Sequence, residues 1–216
     1  MQPASARSGP MVPIRSLGAG HRARIGAHLV ALDEQDRYLR FGYQANDEQI
    51  QRYVAQLDFE RDEIFGIFNR RLELIAMAHL AFIHEPGGPA GAEFGVSVLK
   101  KARGRGFGAR LFDRAVMHAR NEGVELMFIQ ALSENTAMIR IARNGGAVIE
   151  RAGSETEAYL RLPPATLDSR VSEIVEEQVA QADYRLKQQA RNFMALLTQV
   201  QEIRRGAISA RSKSGR

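Results

Sequence analysis

Cysteine and tryptophan are both absent from this chain of 216 residues. Without cysteine the protein can form neither a disulfide nor a zinc site built on thiolates. No apolar run approaches the roughly 18–20 residues of a transmembrane helix, and residues 1–10 lack the apolar stretch of a secretory signal. We therefore expect a cytoplasmic protein without a membrane segment. His79 and His118 have no partner at metal-ligand spacing, so we expect no metal.

The net charge of +5 is concentrated at the C-terminal end of the chain. Five basic residues and no acidic residue follow Ile203, so residues 1–203 are formally neutral. These residues are Arg204, Arg205, Arg211, Lys213 and Arg216. The distribution indicates a basic flexible tail over residues 206–216 and not a basic face, and nucleic-acid binding is not expected. Salt-sensitive binding of the tail to nucleic acid is the alternative.

Hydrophobic periodicity predicts one domain over residues 11–162, preceded by a disordered leader at residues 1–10. Strands are predicted over residues 11–17, 63–69, 72–83, 92–99, 125–131, 147–149 and 157–162. Helices are predicted over residues 21–32, 46–57, 107–121 and 135–143, with residues 36–41 as a connector. After Pro163 and Pro164, apolar residues recur at steps of three and four. This spacing predicts a long C-terminal helical extension over residues 165–205.

A glycine-rich loop, Arg103-Gly104-Arg105-Gly106-Phe107-Gly108, lies between a predicted strand and a predicted helix. Glycine lets the backbone approach a ligand, and the first N–H groups of the helix have no partner within it. Together with the helix dipole they favour a pyrophosphate. The loop lacks the Gly-Lys-Ser/Thr ending of a P-loop, and four strands precede it, unlike the loop of a dinucleotide fold. A glycine-rich hairpin without a ligand remains the alternative.

The element order and two motifs resemble the GNAT acetyltransferase superfamily. The loop matches its Gln/Arg-x-x-Gly-x-Gly/Ala signature, and the segment from Asn135 to Gly146 matches its second signature. Within the superfamily, Ala92-Glu93-Phe94, Glu134-Asn135 and Arg40-Phe41 are most similar to the catalytic domain of bacterial Pat-type protein lysine acetyltransferases. The resemblance implies an α/β (α+β) fold. Its mixed, mostly antiparallel sheet has splayed fourth and fifth strands and flanking helices, and here the long C-terminal helix is added.

The resemblance also implies a reaction and a site. The donor is acetyl-CoA without a metal, and the acceptor is a primary amine, either a protein lysine or a small molecule. Glu93 is the implied general base, because burial in an apolar strand would raise its pKa; a solvent-facing glutamate is the alternative. Gly95 is consistent with a β-bulge. The implied cofactor-binding residues are Val96, Ser97, Val98, Arg103, Gly104, Arg105, Gly106, Phe107, Gly108, Ala109 and Asn135.

One departure from the family pattern keeps a second function open. Many GNAT enzymes carry a tyrosine, the general acid for the leaving thiolate, at the position that Ala142 occupies here. A catalytically weak or inactive CoA-binding sensor or assembly module is therefore the alternative. Acidic residues near the expected acceptor pocket favour a cationic acceptor; they are Asp33, Glu34, Asp36, Asp47, Glu48, Glu150, Glu155 and Glu157. We expect the C-terminal helix to form a homodimer or to cover a groove on the domain, with folding back on its own sheet as the alternative.

Overall fold

A seven-stranded sheet forms the centre of the protein, whose computed structural model describes residues 12–83, 90–152 and 155–213. The expected leader at residues 1–10 lies outside these described residues. The spatial order is β1-β2-β3-β4-β5-β7-β6. The strands are β1 (Arg15–Ser16), β2 (Glu63–Phe68), β3 (Leu74–Ile83), β4 (Gly91–Val98), β5 (Leu126–Leu132), β6 (Val148–Ala152) and β7 (Glu155–Arg161).

Six α-helices accompany the sheet in the described part of the chain. They are α1 (Arg22–Val30), α2 (Glu34–Phe41), α3 (Asp47–Gln56), α4 (Phe107–Asn121), α5 (Thr136–Asn144) and α6 (Leu167–Lys213). Side chains of β4 alternate between the two faces of the sheet. Ser97 contacts α1 on one face, whereas Phe94 packs edge-to-face on Phe112 of α4 on the other, with ring centroids 5.2 Å apart.

The fourth and fifth strands splay apart, as predicted. They are the one parallel pair in the described sheet, and their pairing ends at Glu93 opposite Phe128. Beyond that point β4 continues to pair with β3 alone and β5 with β7 alone. Backbone groups of β4 on the side of β5 therefore lack a strand partner from Phe94 to Val98. The fold consequently has a gap between β4 and β5 that is lined by unpaired main-chain groups. Leaving such groups unpaired costs free energy unless water or a ligand forms hydrogen bonds with them.

Residues 36–41 do not form a connector; that prediction was wrong. They belong to α2, whose first turn is capped by Asp33, with its Oδ1 accepting from the backbone N of Asp36 at 2.9 Å. The helix ends at Gly42, which has a φ of 80°. A capping aspartate before the helix and a left-handed glycine after it are sufficient signals for one short helix.

The first predicted strand is also much shorter than expected. Only Arg15 and Ser16 pair with β2, although the prediction covered residues 11–17, of which Met11 lies outside the described part. Alternation of apolar and polar residues gives the potential for a strand, but an edge strand forms only where a neighbour is available.

The β-bulge expected at Gly95 does not form. The register of β4 against β3 runs without interruption from Gly91 opposite Ile83 to Val98 opposite Ala76. Gly95 instead leaves room for the guanidinium of Arg40 from α2, because a Cβ at this position would lie 2.7 Å from Arg40 Cζ. The absence of a side chain at Gly95 thus leaves space beside β4 for the Arg40 guanidinium of α2.

The helix α6 is 47 residues long and ends at Lys213, not at Arg205. Residues 206–213, expected in a flexible tail, continue the helix; a single internal Gly206 costs only about 1 kcal/mol against Ala. At 1.5 Å per residue the helix is about 70 Å long. No helix of the described residues is both long and apolar enough to cross a membrane.

The first half of α6 packs on its own domain through one face, which combines the polar Glu173 and Glu177 with the buried Ala180 and Tyr184. Glu173 and Glu177 both pair with Arg114 of α4, whose side chain is 3% exposed. Farther along, Tyr184 is buried beneath Arg15, whose guanidinium lies 4.0 Å above its ring. The opposite face carries exposed apolar residues, namely Leu167, Val171, Ile174, Val175 and Leu186. Of the expected arrangements, folding back on the domain is therefore the one that the structure contains.

Candidate functional site

The gap between β4 and β5 holds a cavity of about 290 Å³. It is bounded by the end of α2, the separating strands and the start of α5. Its lining includes Arg40, Glu93, Gly95, Val96, Asn135 and Met138. The cavity therefore coincides with the unpaired segment of β4.

The glycine-rich loop leads from β4 into the N-terminus of α4. Gly104 and Gly106 have φ values of 76° and 73°, a region that L side chains disfavour. No side chain caps α4 at Gly106, so the N–H groups of its first turn remain available to a ligand. A Cβ on Gly108 would lie 3.1 Å from Ile141 Cδ1, so this glycine permits close packing of α4 against α5.

Most cations of this loop already have acidic partners. Arg103 forms an ion pair with the buried Asp36, and its Nε also donates to the carbonyl of Val98 at 3.3 Å. Lys101 pairs with Glu73 at 2.9 Å. Arg105 is exposed and belongs to none of the ion pairs among the described residues. Within the loop, Arg105 is thus the arginine whose guanidinium is available to bind a phosphate.

Of the predicted β4 residues, Val96 lines the cavity, and Ser97 and Val98 lie outside its lining. Val96 and Val98 are half-buried, whereas Ser97 is buried and its Oγ lies 2.8 Å from His28 Nε2. His28 Nδ1 lies 2.9 Å from the carbonyl of Leu74. Burial lowers the pKa of His28 to about 4, with the Leu74 hydrogen bond opposing that shift, so the imidazole is neutral at pH 7. The Ser97 side chain is consequently held away from the cavity.

Asn135 has the capping role that the sequence predicts. Its Oδ1 accepts from the backbone N of Met138 at 3.1 Å at the start of α5. Its Nδ2 donates to the carbonyl of Leu39 at 3.4 Å, which links α5 to α2 across the cavity. The Asn135 amide side chain therefore connects α2 and α5, which both line the cavity.

Glu93 is exposed, so the expectation that its side chain is buried was wrong, and it is the solvent-facing alternative that the structure contains. Its side chain lies where the strands diverge, at the junction of the first cavity with a second one of about 340 Å³. Gln130 and Glu157 line both cavities as well. The second cavity also contains Phe128 and Tyr159. Glu93 therefore has access from two sides.

The acids expected near an acceptor have divided roles. Asp33 caps α2, Asp36 pairs with Arg103, and Asp47 pairs with Arg37 at 2.8 Å. Glu150 accepts a hydrogen bond from the Tyr159 hydroxyl at 2.9 Å. Only Glu157 joins Glu93 in the lining of the cavities, and neither takes part in an ion pair among the described residues.

Sequence reasoning missed a chain of polar side chains beside the first cavity. Arg40 donates to the Tyr53 hydroxyl at 3.2 Å, and that hydroxyl lies 2.8 Å from His79 Nδ1. His79 Nε2 lies 2.9 Å from the carboxylate of Asp62. Four separate segments supply these residues, so only the similarity of Arg40-Phe41 to Pat-type domains drew attention to any of them.

Ala142, at the position of the family's tyrosine, is 1% exposed in the core. Its methyl group packs there and carries no hydroxyl to the cavity. At the position where many family members have their general acid, this chain therefore has no side chain that can donate a proton.

Solved structures of acetyltransferases share this fold. The GNAT domain of S. lividans PAT is 20% identical, with a TM-score of 0.60, covering 72% of this chain and 93% of that one. Spermidine N-acetyltransferase from Vibrio cholerae, in complex with CoA and spermine, is 16% identical, with a TM-score of 0.56 and coverages of 71% and 96%. Ribosomal-protein-alanine N-acetyltransferase from Brucella melitensis is 16% identical, with a TM-score of 0.56 and coverages of 69% and 99%.

The sequence comparison gives the family directly. No curated protein matches the chain significantly. The family model described as Acetyltransferase (GNAT) family matches residues 29–145, which span α2, the splayed strands, the glycine-rich loop and α5. The match covers more than half of the 216 residues, and it includes the glycine-rich loop and all of the second predicted signature except Gly146. The chain belongs to the GNAT acetyltransferase family, whose members are N-acetyltransferases that use acetyl-CoA.

Proposed function

We propose that this protein transfers an acetyl group from acetyl-CoA to a primary amine, on a protein lysine or a small cationic molecule. The observation that carries the proposal is the position of Glu93 at the junction of two cavities. One cavity lies between β4 up to Val96 and the start of α5, and the other is lined by Phe128 and Tyr159. A donor and an acceptor approaching from opposite sides would meet at this carboxylate.

The donor side fits acetyl-CoA. The uncapped N-terminus of α4, the positive-φ glycines and Arg105 suit a pyrophosphate. The unpaired main chain of β4 at Val96, Ser97 and Val98 suits an extended pantetheine with amide groups. The full set proposed to hold the donor is Val96, Ser97, Val98, Arg103, Gly104, Arg105, Gly106, Phe107, Gly108, Ala109 and Asn135. When bound, acetyl-CoA supplies an acetyl group activated as a thioester.

The acceptor side combines carboxylates with aromatic rings. Glu93 and Glu157 face the second cavity, and Phe128 and Tyr159 lie beside them. An ammonium group is attracted both by unpaired carboxylates and by ring faces. A primary amine on an apolar stem, such as a lysine side chain, therefore suits this cavity.

Glu93 is the proposed general base. The ammonium ion must lose a proton before its nitrogen attacks a carbonyl carbon. An exposed carboxylate at the junction can take that proton directly or through one water. Glu93 thus needs no unusual burial to serve, because its location supplies the proximity.

The test is acetyl transfer to a panel of lysine peptides and polyamines by the wild type and by Glu93→Gln. We expect Glu93→Gln to lower kcat by roughly 100-fold or more while the Kd for acetyl-CoA stays within about twofold. Glu60→Gln, an exposed change in the loop between α3 and β2, serves as the matched control and should leave both values unchanged. Full activity in Glu93→Gln would remove Glu93 from the mechanism.

The buried Ala142 favours a second candidate, a CoA-binding sensor. Calorimetry separates the two functions. Tight binding of acetyl-CoA by the wild type without transfer to any amine would favour the sensor, and measurable transfer would favour the enzyme.

We also infer that α6 pairs with the α6 of a second copy. Its exposed apolar residues lie on the face opposite to the docked face, at helical spacing, and solvent-exposed rows of this kind mark helix–helix contacts. Val171→Glu together with Ile174→Glu should convert a dimer into a monomer in sedimentation. Gln56→Glu, which adds a negative charge at an exposed position of α3 outside α6, is the control, and a monomeric wild type would end this inference.

A further inference from the structure

The described ion pairs leave one guanidinium of the first cavity without a carboxylate. Arg37 pairs with Asp47 and Arg103 with Asp36, but Arg40 belongs to no ion pair among residues 12–83, 90–152 and 155–213. Its one described side-chain hydrogen bond goes to the neutral hydroxyl of Tyr53. Arg40 thus brings to the cavity wall a guanidinium that makes no direct ion pair with a carboxylate among the described residues.

The guanidinium also lies close against β4. It lies over the backbone of β4, where a Cβ on Gly95 would come within 2.7 to 2.9 Å of its Cζ and both terminal nitrogens. Gly95 follows Glu93 on the same face of the strand by two residues, so charge and carboxylate are neighbours along the cleft. The segment of β4 whose backbone groups lack a strand partner begins at Phe94, between Glu93 and Gly95.

The hydrogen-bond directions behind Arg40 are determined by chemistry. The Asp62 carboxylate can only accept, so His79 Nε2 carries the hydrogen and donates to it. His79 Nδ1 then accepts from the Tyr53 hydroxyl, whose oxygen accepts from Arg40. Burial lowers the pKa of His79, the Asp62 hydrogen bond opposes this shift, and the charge of Arg40 adds to it. This series of hydrogen bonds requires the imidazole of His79 to be neutral at pH 7.

Charge is distributed unequally between the two cavities. Glu93 and Glu157 line both cavities, whereas Arg40 lines only the first, so the lining of the donor side alone carries a cation. Resting on the proposed function, we propose that Arg40 is a catalytic residue that stabilises the negative charge developing on the thioester, and that Tyr53, His79 and Asp62 are positioning residues for it.

The step balances without a further reactant. The amine nitrogen forms a bond to the acetyl carbonyl carbon, negative charge gathers on the carbonyl oxygen, and the carbon–sulfur bond then breaks with its electron pair remaining on sulfur. The ammonium group gives one proton to Glu93 before the attack, and Glu93 releases it to water. The second proton, lost from nitrogen as the carbon–sulfur bond breaks, passes through water to the thiolate. Arg40 keeps its own protons throughout and contributes only its charge and donors. A cation on the donor side thereby offsets the absence of a tyrosine at Ala142.

The experiment compares Arg40→Gln, Tyr53→Phe and Asp62→Asn with the wild type, with Arg52→Gln as a matched control on the exposed side of α3. We expect Arg40→Gln to lower kcat by roughly 100-fold, with the Kd for acetyl-CoA within about twofold. Tyr53→Phe and Asp62→Asn should cause smaller losses of kcat, again without loss of acetyl-CoA binding. Guanidinium ions should restore part of the activity of Arg40→Ala.

A second measurement does not depend on turnover. The His79 imidazole, followed by NMR titration, should show a higher pKa in Arg40→Gln than in the wild type, because a neighbouring positive charge has been removed. Arg52→Gln should leave it unchanged. An active wild type whose Arg40→Gln variant keeps kcat within threefold, or loses acetyl-CoA binding in parallel with kcat, overturns the role of Arg40 alone. A wild type that binds acetyl-CoA but acetylates nothing overturns the proposed function as well.

Discussion

His118 of α4 donates from Nδ1 to the carboxylate of Glu173 in α6 across 2.6 Å. Burial alone would lower the pKa of His118, but the hydrogen bond and charge of Glu173, with the charge of Glu63, outweigh it and raise the pKa above 6.5. For Glu173, burial acts to raise the pKa, and the hydrogen bonds from His118 and Asn121 bring it below 4.5. Docking of the C-terminal helix is therefore linked to pH.

The pH prediction follows from the sign of these shifts. The stabilisation from His118 is complete below 6.5 and is lost as pH rises through the raised pKa, whereas that from Glu173 is complete above 4.5 and is lost as pH falls through the lowered one. The protection of α6 amides against hydrogen exchange, corrected for the intrinsic base-catalysed rate, should thus be greatest between pH 4.5 and 6.5. On the alkaline side the protection should fall by on the order of 1 kcal/mol. His118→Gln should abolish that alkaline slope; an unaltered slope would exclude His118 as its source.

Arg114 should be the most sensitive charged residue at the same junction. Its buried guanidinium pairs with Glu173 at 3.3 Å and Glu177 at 3.4 Å, so Arg114→Ala leaves two partly buried carboxylates facing each other. We expect a loss of roughly 2–3 kcal/mol in the free energy of unfolding, measured with urea, since the carboxylates retain some access to water. Arg170→Ala, an exposed change on α6, should cost less than about 0.5 kcal/mol. Equal effects of the two changes would contradict the structure.

Gly95→Ala should damage activity more than stability. The new methyl group would overlap Arg40 Cζ at 2.7 Å, but the end of an arginine side chain can swing away at little cost. We expect less than about 1 kcal/mol of destabilisation and a loss of kcat comparable to that of Arg40→Gln.

Gly145→Ala provides the contrast in stability. Its methyl group would lie 2.3 Å from Cε1 of Phe112, a core ring that is 1% exposed and has no room to move. Overpacking of this kind should cost about 1–3 kcal/mol in urea unfolding. If Gly95→Ala proves the more destabilising of the two, then Arg40 is not as free to move as its geometry suggests.

Binding of acetyl-CoA should depend more on Arg105 than on Arg103. Arg105 is exposed without an ion-pair partner among the described residues, whereas Arg103 is engaged by Asp36. Arg105→Ala should therefore raise the Kd for acetyl-CoA several-fold, and more at low than at high salt, since exposed charges are screened. Arg103→Ala should mainly loosen α2 and lower stability. Calorimetry at two ionic strengths checks the order, and an unaffected Kd in Arg105→Ala would contradict it.

Much of the fold was predictable because its signals are local. Periodicity placed α4 at residues 107–121 and the long helix after Pro164, and Asn135 caps α5 as expected. The glycine-rich loop was equally readable, since positive φ at Gly104 and Gly106 is a property of the backbone at those positions. The predictions failed for two short elements. The two-residue β1 depends on a neighbouring strand, and the eight-residue α2 depends on its caps, more than either depends on periodicity.

The sequence by itself determined the family, the donor and the position of the loop, because each depends on residues close together along the chain. The tertiary structure alone decided that Glu93 is exposed at a junction, that Arg40 replaces a side chain at Gly95, and that α6 docks on its own domain. These facts depend on contacts between distant segments, such as residues 40, 53, 62 and 79. Burial and charge pairing are properties of such contacts, and no local pattern encodes them.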